Sequence, residues 1–355
     1  MIAARPTAAR HGAIIGFGNV AASGHVPGWQ ADNDVEIVAV ADPDRERRAL
    51  ATTLIAGVRT YATADELLRS ERIDFVDIAT PPGAHAAAIM AAAHAGVHVL
   101  CEKPLTTSWD EYRVLRSAAR RAGIVLHTVH NWKYSEAFCT VRQLLADGAV
   151  GALRTISFDT ARNGCAAATG DNWRVRASVA GGGILVDHGW HAFYLLLALA
   201  QERPLRIRAT LERRRYVDAE VEDTALCAIE FPTLTAEIRL TWAANERRTR
   251  WQLVGDDGAM TVDDDRVVVH RHGTEHARRL TTALSAGSHH PDWFSGVIQE
   301  FHRELDDPTR SGTNQAEAEL CVRMLNLAYA SGAQHARALD IPVSSDGLER
   351  SCEHS

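Results

Sequence analysis

Three segments of this 355-residue chain carry side chains whose types and spacing suit proton and hydride chemistry. Cys101-Glu102-Lys103-Pro104-Leu105 follows the apolar run Val97-His98-Val99-Leu100. If that run is a strand of a doubly wound sheet, Lys103 stands at the carboxyl edge, where such sheets hold ligands. Its ammonium then donates to a substrate oxygen and stabilises alkoxide character; the alternative is a solvated surface lysine. Pro104 restricts the residue before it and admits a cis bond that turns Lys103 inward. In Gly181-Gly182-Gly183-Ile184-Leu185-Val186-Asp187-His188-Gly189-Trp190-His191, helical spacing puts Asp187 and His191 on one face and His188 about a quarter turn away. A histidine, with an intrinsic pKa of about 6.5, takes a hydroxyl proton while hydride leaves the same carbon. Asp187 orients it or binds a neighbouring hydroxyl; the alternative is a structural pair in a helix interface.

Gly16-Phe17-Gly18-Asn19-Val20-Ala21 follows the strand Ala13-Ile14-Ile15 and opens a helix-capable segment. Gly16 allows the tight turn, Gly18 lets backbone approach a pyrophosphate, and Ala21 takes the third small position. Asp42, 21 residues after Ala21, ends the second strand, where a carboxylate accepts hydrogen bonds from ribose hydroxyls. That favours NAD, with NADP as the alternative because Arg45 is near enough to hold a 2′-phosphate. The cofactor site is expected to comprise Gly16, Phe17, Gly18, Asn19, Val20, Asp42, Thr80, Pro81, His85, Glu102 and Lys103.

The elements that position these residues follow from pattern. Residues 13–129 alternate short Val/Ile runs (13–15, 36–40, 75–78, 97–100, 124–126) with helical stretches at 43–56, 83–95 and 107–122. Parallel strands covered on both faces give this texture, so the first part is expected to be α/β, a Rossmann doubly wound sheet. Beyond about 150, period-two runs such as Leu153–Phe158, Ala225–Ile229 and Glu237–Thr241 predict a C-terminal α+β domain on an open, mainly antiparallel sheet. Helices are expected at 183–200, 292–306 and 313–336. The expected division is a flexible extension 1–10, a cofactor domain 11–149, a substrate and oligomerisation domain 150–343 and a flexible tail 344–355.

With 46% apolar and 23% charged residues and a net charge of −7, the chain lacks the concentrated positive footprint of nucleic-acid binding. Its six cysteines form no C-x-x-C pair, so reduced thiols in a cytoplasm are expected and no metal site is indicated. No signal-peptide core and no run of about 18 apolar residues is apparent, so no membrane association is expected.

Taken together, the Gly16-Phe17-Gly18 turn, Glu102-Lys103-Pro104-Leu105 and the Gly-Gly-Gly-Ile-Leu-Val-Asp-x-Gly-x-His segment resemble the Gfo/Idh/MocA family, relatives of glucose–fructose oxidoreductase and inositol dehydrogenase. The resemblance covers most of the chain. It implies an N-terminal Rossmann domain, a C-terminal sheet that mediates assembly into a homodimer or homotetramer, and a catalytic triplet of Lys103, Asp187 and His191. It also implies a small polyhydroxylated substrate, a sugar, sugar derivative or cyclitol oxidised at a secondary hydroxyl. The chain departs from the family in two places. Tyr194 stands where many relatives carry an acid, and Lys133, in His130-Asn131-Trp132-Lys133-Tyr134, stands where arginine is common. Asn131, Lys133 and Tyr134 are candidate substrate contacts, as are Trp173 and Arg174 of Asp171-Asn172-Trp173-Arg174. Trp173 suits a sugar face, and Arg174 a hydroxyl or an anionic substituent; a buried Trp at a domain junction is the alternative. Two further readings stay open: a redox-neutral epimerase, lyase or glycosidase-like enzyme with tightly bound NAD, and a non-catalytic NAD(P)-sensing protein, which has no need of Lys103 and His191.

Overall fold

The computed structural model describes residues 9–165, 172–287, 289–310 and 312–343. Most of the extension 1–10, Asp171, Cys352 and the tail 344–355 lie outside them.

Six strands form the first sheet: β1 (Arg10–Ile15), β2 (Val35–Ala41), β3 (Arg59–Tyr61), β4 (Phe75–Ile78), β5 (His98–Cys101) and β6 (Leu126–Thr128). They lie in the order β3-β2-β1-β4-β5-β6, and every neighbouring pair is parallel. The order reverses between β1 and β4, which opens a crevice beyond their carboxyl ends. Gly16 follows β1, Thr80 comes just after β4, and Glu102 and Lys103 follow β5, so topology alone delivers three segments to that crevice.

The crossovers are α1 (Val26–Gln30), α2 (Arg45–Leu54), α3 (Ala64–Ser70), α4 (His85–Ala95) and α5 (Trp109–Ala122), and α6 (Glu136–Ala146) leads out of the sheet. Their starts are fixed by side-chain caps. Asp44, Thr63, Ser108 and Ser135 accept from Glu46, Glu66, Glu111 and Phe138 backbone N–H groups. β3 and α3 were not anticipated, because Arg59-Thr60-Tyr61 at the sheet edge has no apolar run.

The second sheet holds β7 (Leu153–Asn163), β8 (Arg206–Glu212), β9 (Thr224–Glu230), β10 (Thr235–Thr241), β11 (Ala243–Gly255), β12 (Gly258–Asp263), β13 (Arg266–Arg271), β14 (Thr274–Arg279) and β15 (Leu339–Asp340). Its order is β14-β13-β12-β11-β7-β10-β9-β8-β15. All pairs are antiparallel except β7 with β10. Alternation along β7 buries Ile156, Phe158, Thr160 and Arg162 on one face. Against that face packs a helical run made of α7 (Ala177–Ala180), a π turn over Leu185–Gly189 and α8 (Trp190–Ala200). By length and composition Ala177–Ala200 is apolar enough to cross a membrane, contrary to expectation, but 83% of its most apolar window is buried in the protein.

The last two helices, α9 (Pro291–Asp306) and α10 (Gly312–Ala333), return toward the first sheet. Phe294, Val297, Ile298 and Phe301 of α9 form one core cluster with Ile14, Phe17, Trp29, Phe75, Val125 and Val129. The N-terminal core is thus completed by a C-terminal helix.

Candidate active site

The glycine turn is shaped by contact and by charge. Gly16 has φ +87°, and a Cβ there would lie 2.6 to 2.9 Å from Thr80. At Gly18 an added Cβ would meet only the Arg47 guanidinium, at 3.6 Å, which leaves the turn open on the side where a diphosphate would lie. Helix starts at Asn19 and runs through Gln30, so its first N–H groups face that space. Asp42 at the end of β2 accepts from Phe17 N–H at 2.7 Å and Asp44 N–H at 2.8 Å. A carboxylate has lone pairs left for ribose hydroxyls after these two. The arginine beside the turn is Arg47, whose Nη1 donates to the Phe17 carbonyl at 3.2 Å, and not Arg45, which is exposed. Thr80 Oγ1 is buried without a hydrogen-bond partner. Glycine turn, strand-end acid and orphaned hydroxyl together fit a dinucleotide. His85 is the exception: fully buried, its ring nitrogens lie 2.8 Å from the Pro104 carbonyl and 2.9 Å from that of Thr80. It ties the β4 loop to the Lys103 turn from behind, a positioning place and not the expected contact with the cofactor.

Lys103 precedes a cis Pro104, and its ammonium donates to the Asp187 carbonyl at 2.6 Å, with Asp187 Oδ1 at 3.5 Å. The helix carrying Asp187 is anchored by Glu222, which sequence reading missed. Its carboxylate accepts from Gly183 N–H at 3.1 Å, Leu185 N–H at 3.0 Å and Tyr329 OH at 3.0 Å. A Cβ on Gly183 would lie 1.8 Å from the Glu222 carbonyl oxygen, which explains glycine there.

The π turn corrects one expectation. Wider i→i+5 winding rotates less per residue, and π turns recur at functional sites. His188, expected to point away, lines the same small cavity as His191, together with Trp132, Phe158, Thr160, Ala192, Leu195 and Trp251. Its Nδ1 is 3.1 Å from Asp187 Oδ2, without hydrogen-bond alignment. Burial works against the Asp187 charge, but His188 and Lys103 outweigh it and hold the carboxyl well below the usual range. Burial, then the charges of Lys103 and His188, push His191 well below 6.5, so its imidazole is neutral.

Tyr194 lies with its OH 2.7 Å from His191 Nδ1 and accepts Trp132 N–H at 3.1 Å. An oxygen already accepting from the backbone has its own proton left to donate, so we assign that proton to Nδ1 and the ring proton of His191 to Nε2.

On the other side of Lys103 lies a second cluster. Glu102 Oε2 accepts Lys103 N–H at 2.9 Å, and its Oε1 is 3.0 Å from His25 Nε2. His25 Nδ1 lies 2.9 Å from Asp77 Oδ2, which also accepts from Trp29 Nε1 at 2.7 Å. Burial opposes a charge on His25, but Asp77 and Glu102 overcome it and the pKa is pushed up to about 10.

Of the other anticipated substrate contacts, Lys133 sits on both Glu317 oxygens at 2.9 Å, and the Tyr134 hydroxyl bonds to Glu300. Neither lines the cavity. Trp132, just before them, does, with its ring 5.1 Å from that of His191. Asn131 Oδ1 is buried and unpartnered. Arg174 lies over the Trp173 ring at 4.5 Å, and its charge also lowers the Asp187 pKa. An open depression of about 700 Å³ between the end of α8 and the start of α10 holds none of the triplet.

Residues 10–130 match the sequence model of the oxidoreductase family with an NAD-binding Rossmann fold, which places the protein among nicotinamide-dependent oxidoreductases. Residues 138–261 match the GFO/IDH/MocA C-terminal domain. The chain belongs to the Gfo/Idh/MocA family. It is 32% identical over 255 residues to dTDP-3,4-didehydro-2,6-dideoxy-alpha-D-glucose 3-reductase of Streptomyces violaceoruber, covering 70% of this chain and 71% of that protein. It is 36% identical to D-apiose dehydrogenase of Paraburkholderia graminis over 140 residues, 39% of this chain and only 37% of that protein. The fold is similar to levoglucosan dehydrogenase in complex with NADH and L-sorbose, at TM-score 0.82 and 19% identity, covering 95% of this chain and all of that one (100%).

Proposed function

We propose that this enzyme reversibly oxidises a secondary hydroxyl of a sugar, sugar derivative or cyclitol, with His191 as acid/base assisted by Lys103 and Asp187. The observation that carries the reading is the meeting of Lys103 with Asp187 in the helix turn that also bears His191, at the edge of the sheet where the glycine turn opens. Bound nicotinamide would supply the hydride acceptor. Lys103 donates to the reacting oxygen, and Asp187 keeps that ammonium in place. In its resting tautomer His191 offers Nε2–H to a carbonyl oxygen. To take a hydroxyl proton, Nε2 must be bare and Nδ1–H must turn onto the Tyr194 oxygen, an exchange that costs about one hydrogen bond, ~1 kcal/mol. A neutral imidazole is the form able to do this at neutral pH.

NAD is the cofactor we favour, because Asp42 puts negative charge where a 2′-phosphate would sit. Assembly as a dimer or tetramer through the solvent face of the second sheet is part of the proposal, and a monomer by light scattering removes it.

The test is absorbance at 340 nm with purified protein, NAD or NADP, and a panel of sugars, sugar nucleotides and cyclitols. Steady formation of reduced cofactor with a panel member is expected. Substrate conversion with retained cofactor and no net absorbance change would replace the dehydrogenase by the redox-neutral reading.

A further inference from the structure

The row of side chains that β7 turns toward the catalytic helix runs Phe158, Thr160, Arg162. The first two line the cavity beside His188 and His191. Arg162 is the next position on that face, about 7 Å further along the strand. It is 2% exposed.

A guanidinium buried so deeply normally rests on a carboxylate, because an unpaired charge in a low-dielectric interior is costly. Arg162 does not. Nη1 donates to the carbonyls of Ala161 at 2.8 Å and Arg248 at 2.9 Å, Nη2 donates to Thr249 Oγ1 at 3.0 Å, and Nε has no partner. All three acceptors are neutral. Two acids are close enough for their charge to reach it, Asp187 and Asp264, and among the described residues neither hydrogen-bonds to it. Asp187 is held by Lys103, and Asp264 accepts from Thr249 N–H at 3.1 Å. Burial and then the positive charge of Arg247, itself bonded to the carbonyls of Ser285 and Gly287, push the Arg162 pKa down to about 10, the direction expected of an uncompensated cation.

Arg174, half-buried, also has no carboxylate bonded to it among the described residues. Its charge reaches Asp187, its guanidinium lies over a neutral indole, and its Nε is also buried and unpartnered. Asp187 thus answers to the charges of Lys103, Arg162 and Arg174, and among the described residues neither Arg162 nor Arg174 has a carboxylate hydrogen-bonded to its guanidinium. A neutral polyol needs matched donors and acceptors there; guanidiniums without a bonded carboxylate suit a ligand that brings one anionic group to them.

We infer that Arg162, with Arg174 beside it, forms an anion subsite, and that the substrate of the proposed oxidoreduction carries a carboxylate or phosphate group alongside the hydroxyl that reacts. The inference rests on the proposed reading of the Lys103, Asp187 and His191 site.

The test uses NADH-loaded full-length enzyme titrated calorimetrically with D-glucose, D-glucuronate and D-glucose 6-phosphate, and parallel turnover assays with NAD and the same three compounds. An anionic member is expected to bind about ten- to hundredfold more tightly than D-glucose, the worth of a charge-assisted hydrogen bond. Which of the two binds separates carboxylate from phosphate. Arg162→Gln should abolish the preference, Arg162→Lys should restore part of it, and Arg174→Gln, away from the strand pairing, should reduce it about threefold. If Arg162 served only to join β7 to β11, its replacement would weaken all three compounds alike. D-glucose binding as tightly as both anions, no binding of either anion, or a preference surviving both glutamine variants, overturns the subsite. Anion binding without turnover of any compound leaves the subsite standing and counts against the dehydrogenase reading. Turnover of D-glucose without preference does the reverse.

Discussion

His25 and His191 stand on either side of Lys103, the first buried and the second half-buried, and they differ in charge: His25 is a cation and His191 is neutral. Burial pushes each toward neutrality. His25 is nonetheless an imidazolium because Asp77 and Glu102 bracket its two nitrogens, whereas His191 faces Lys103 and His188 and receives a phenol proton. Burial alone therefore says nothing of a histidine's state; the partners on its two nitrogens decide it. The charged one holds Glu102 and through it the Lys103 backbone, and the neutral one is left able to exchange a proton.

Removing the neutral member breaks the comparison most severely. His191→Ala is expected to lower turnover by about a hundredfold to ten-thousandfold with cofactor affinity nearly intact. Turnover within threefold of wild type in a steady-state assay would remove the acid/base assignment.

Removing the charged member acts on stability instead. His25→Gln leaves two carboxylates facing each other in the interior, and a loss of about 3–5 kcal/mol in denaturant unfolding is expected. The sign with pH follows from the raised value. The contribution of His25 is fully present below its unfolded pKa of about 6.5 and is lost as pH rises through about 10. Melting temperature of the wild type should therefore carry a decline between these limits that the variant lacks, and parallel curves would refute the charged assignment.

The finest distinction is the phenol. A donor on Nδ1 favours neutral imidazole, so Tyr194→Phe should raise the His191 pKa and move the acid limb of the kcat/KM profile for oxidation upward, with turnover down about threefold to tenfold. An acid limb that stays in place would show Tyr194 to be packing alone.

Much of this was legible in the sequence. Continuous Val/Ile runs marked the parallel strands, and the glycine turn, Lys103, Asp187 and His191 stood out because strand ends and helix spacing are local. What was missed depends on contacts distant in sequence or on local departures from regular geometry. His25 has no signal in Ala-Ala-Ser-Gly-His, since its meaning comes from Asp77, 52 residues on, and Glu102, 77 on. His188 was misplaced because a regular helical period was assumed across a π turn. Arg162 was within reach: the alternation recognised through Phe158, carried two steps further, puts it on the buried face.

The packing of α9 also bears on how the chain comes into being. Phe294, Val297, Ile298 and Phe301 cover an apolar face formed by Ile14, Phe17, Trp29, Phe75, Val125 and Val129. During synthesis that face emerges first, and at about 5–20 residues per second its cover follows roughly ten to thirty seconds later. The nascent first half therefore waits on the ribosome with part of one side of its sheet uncovered, and a split between the two sheets would yield a fragment that stays in that condition.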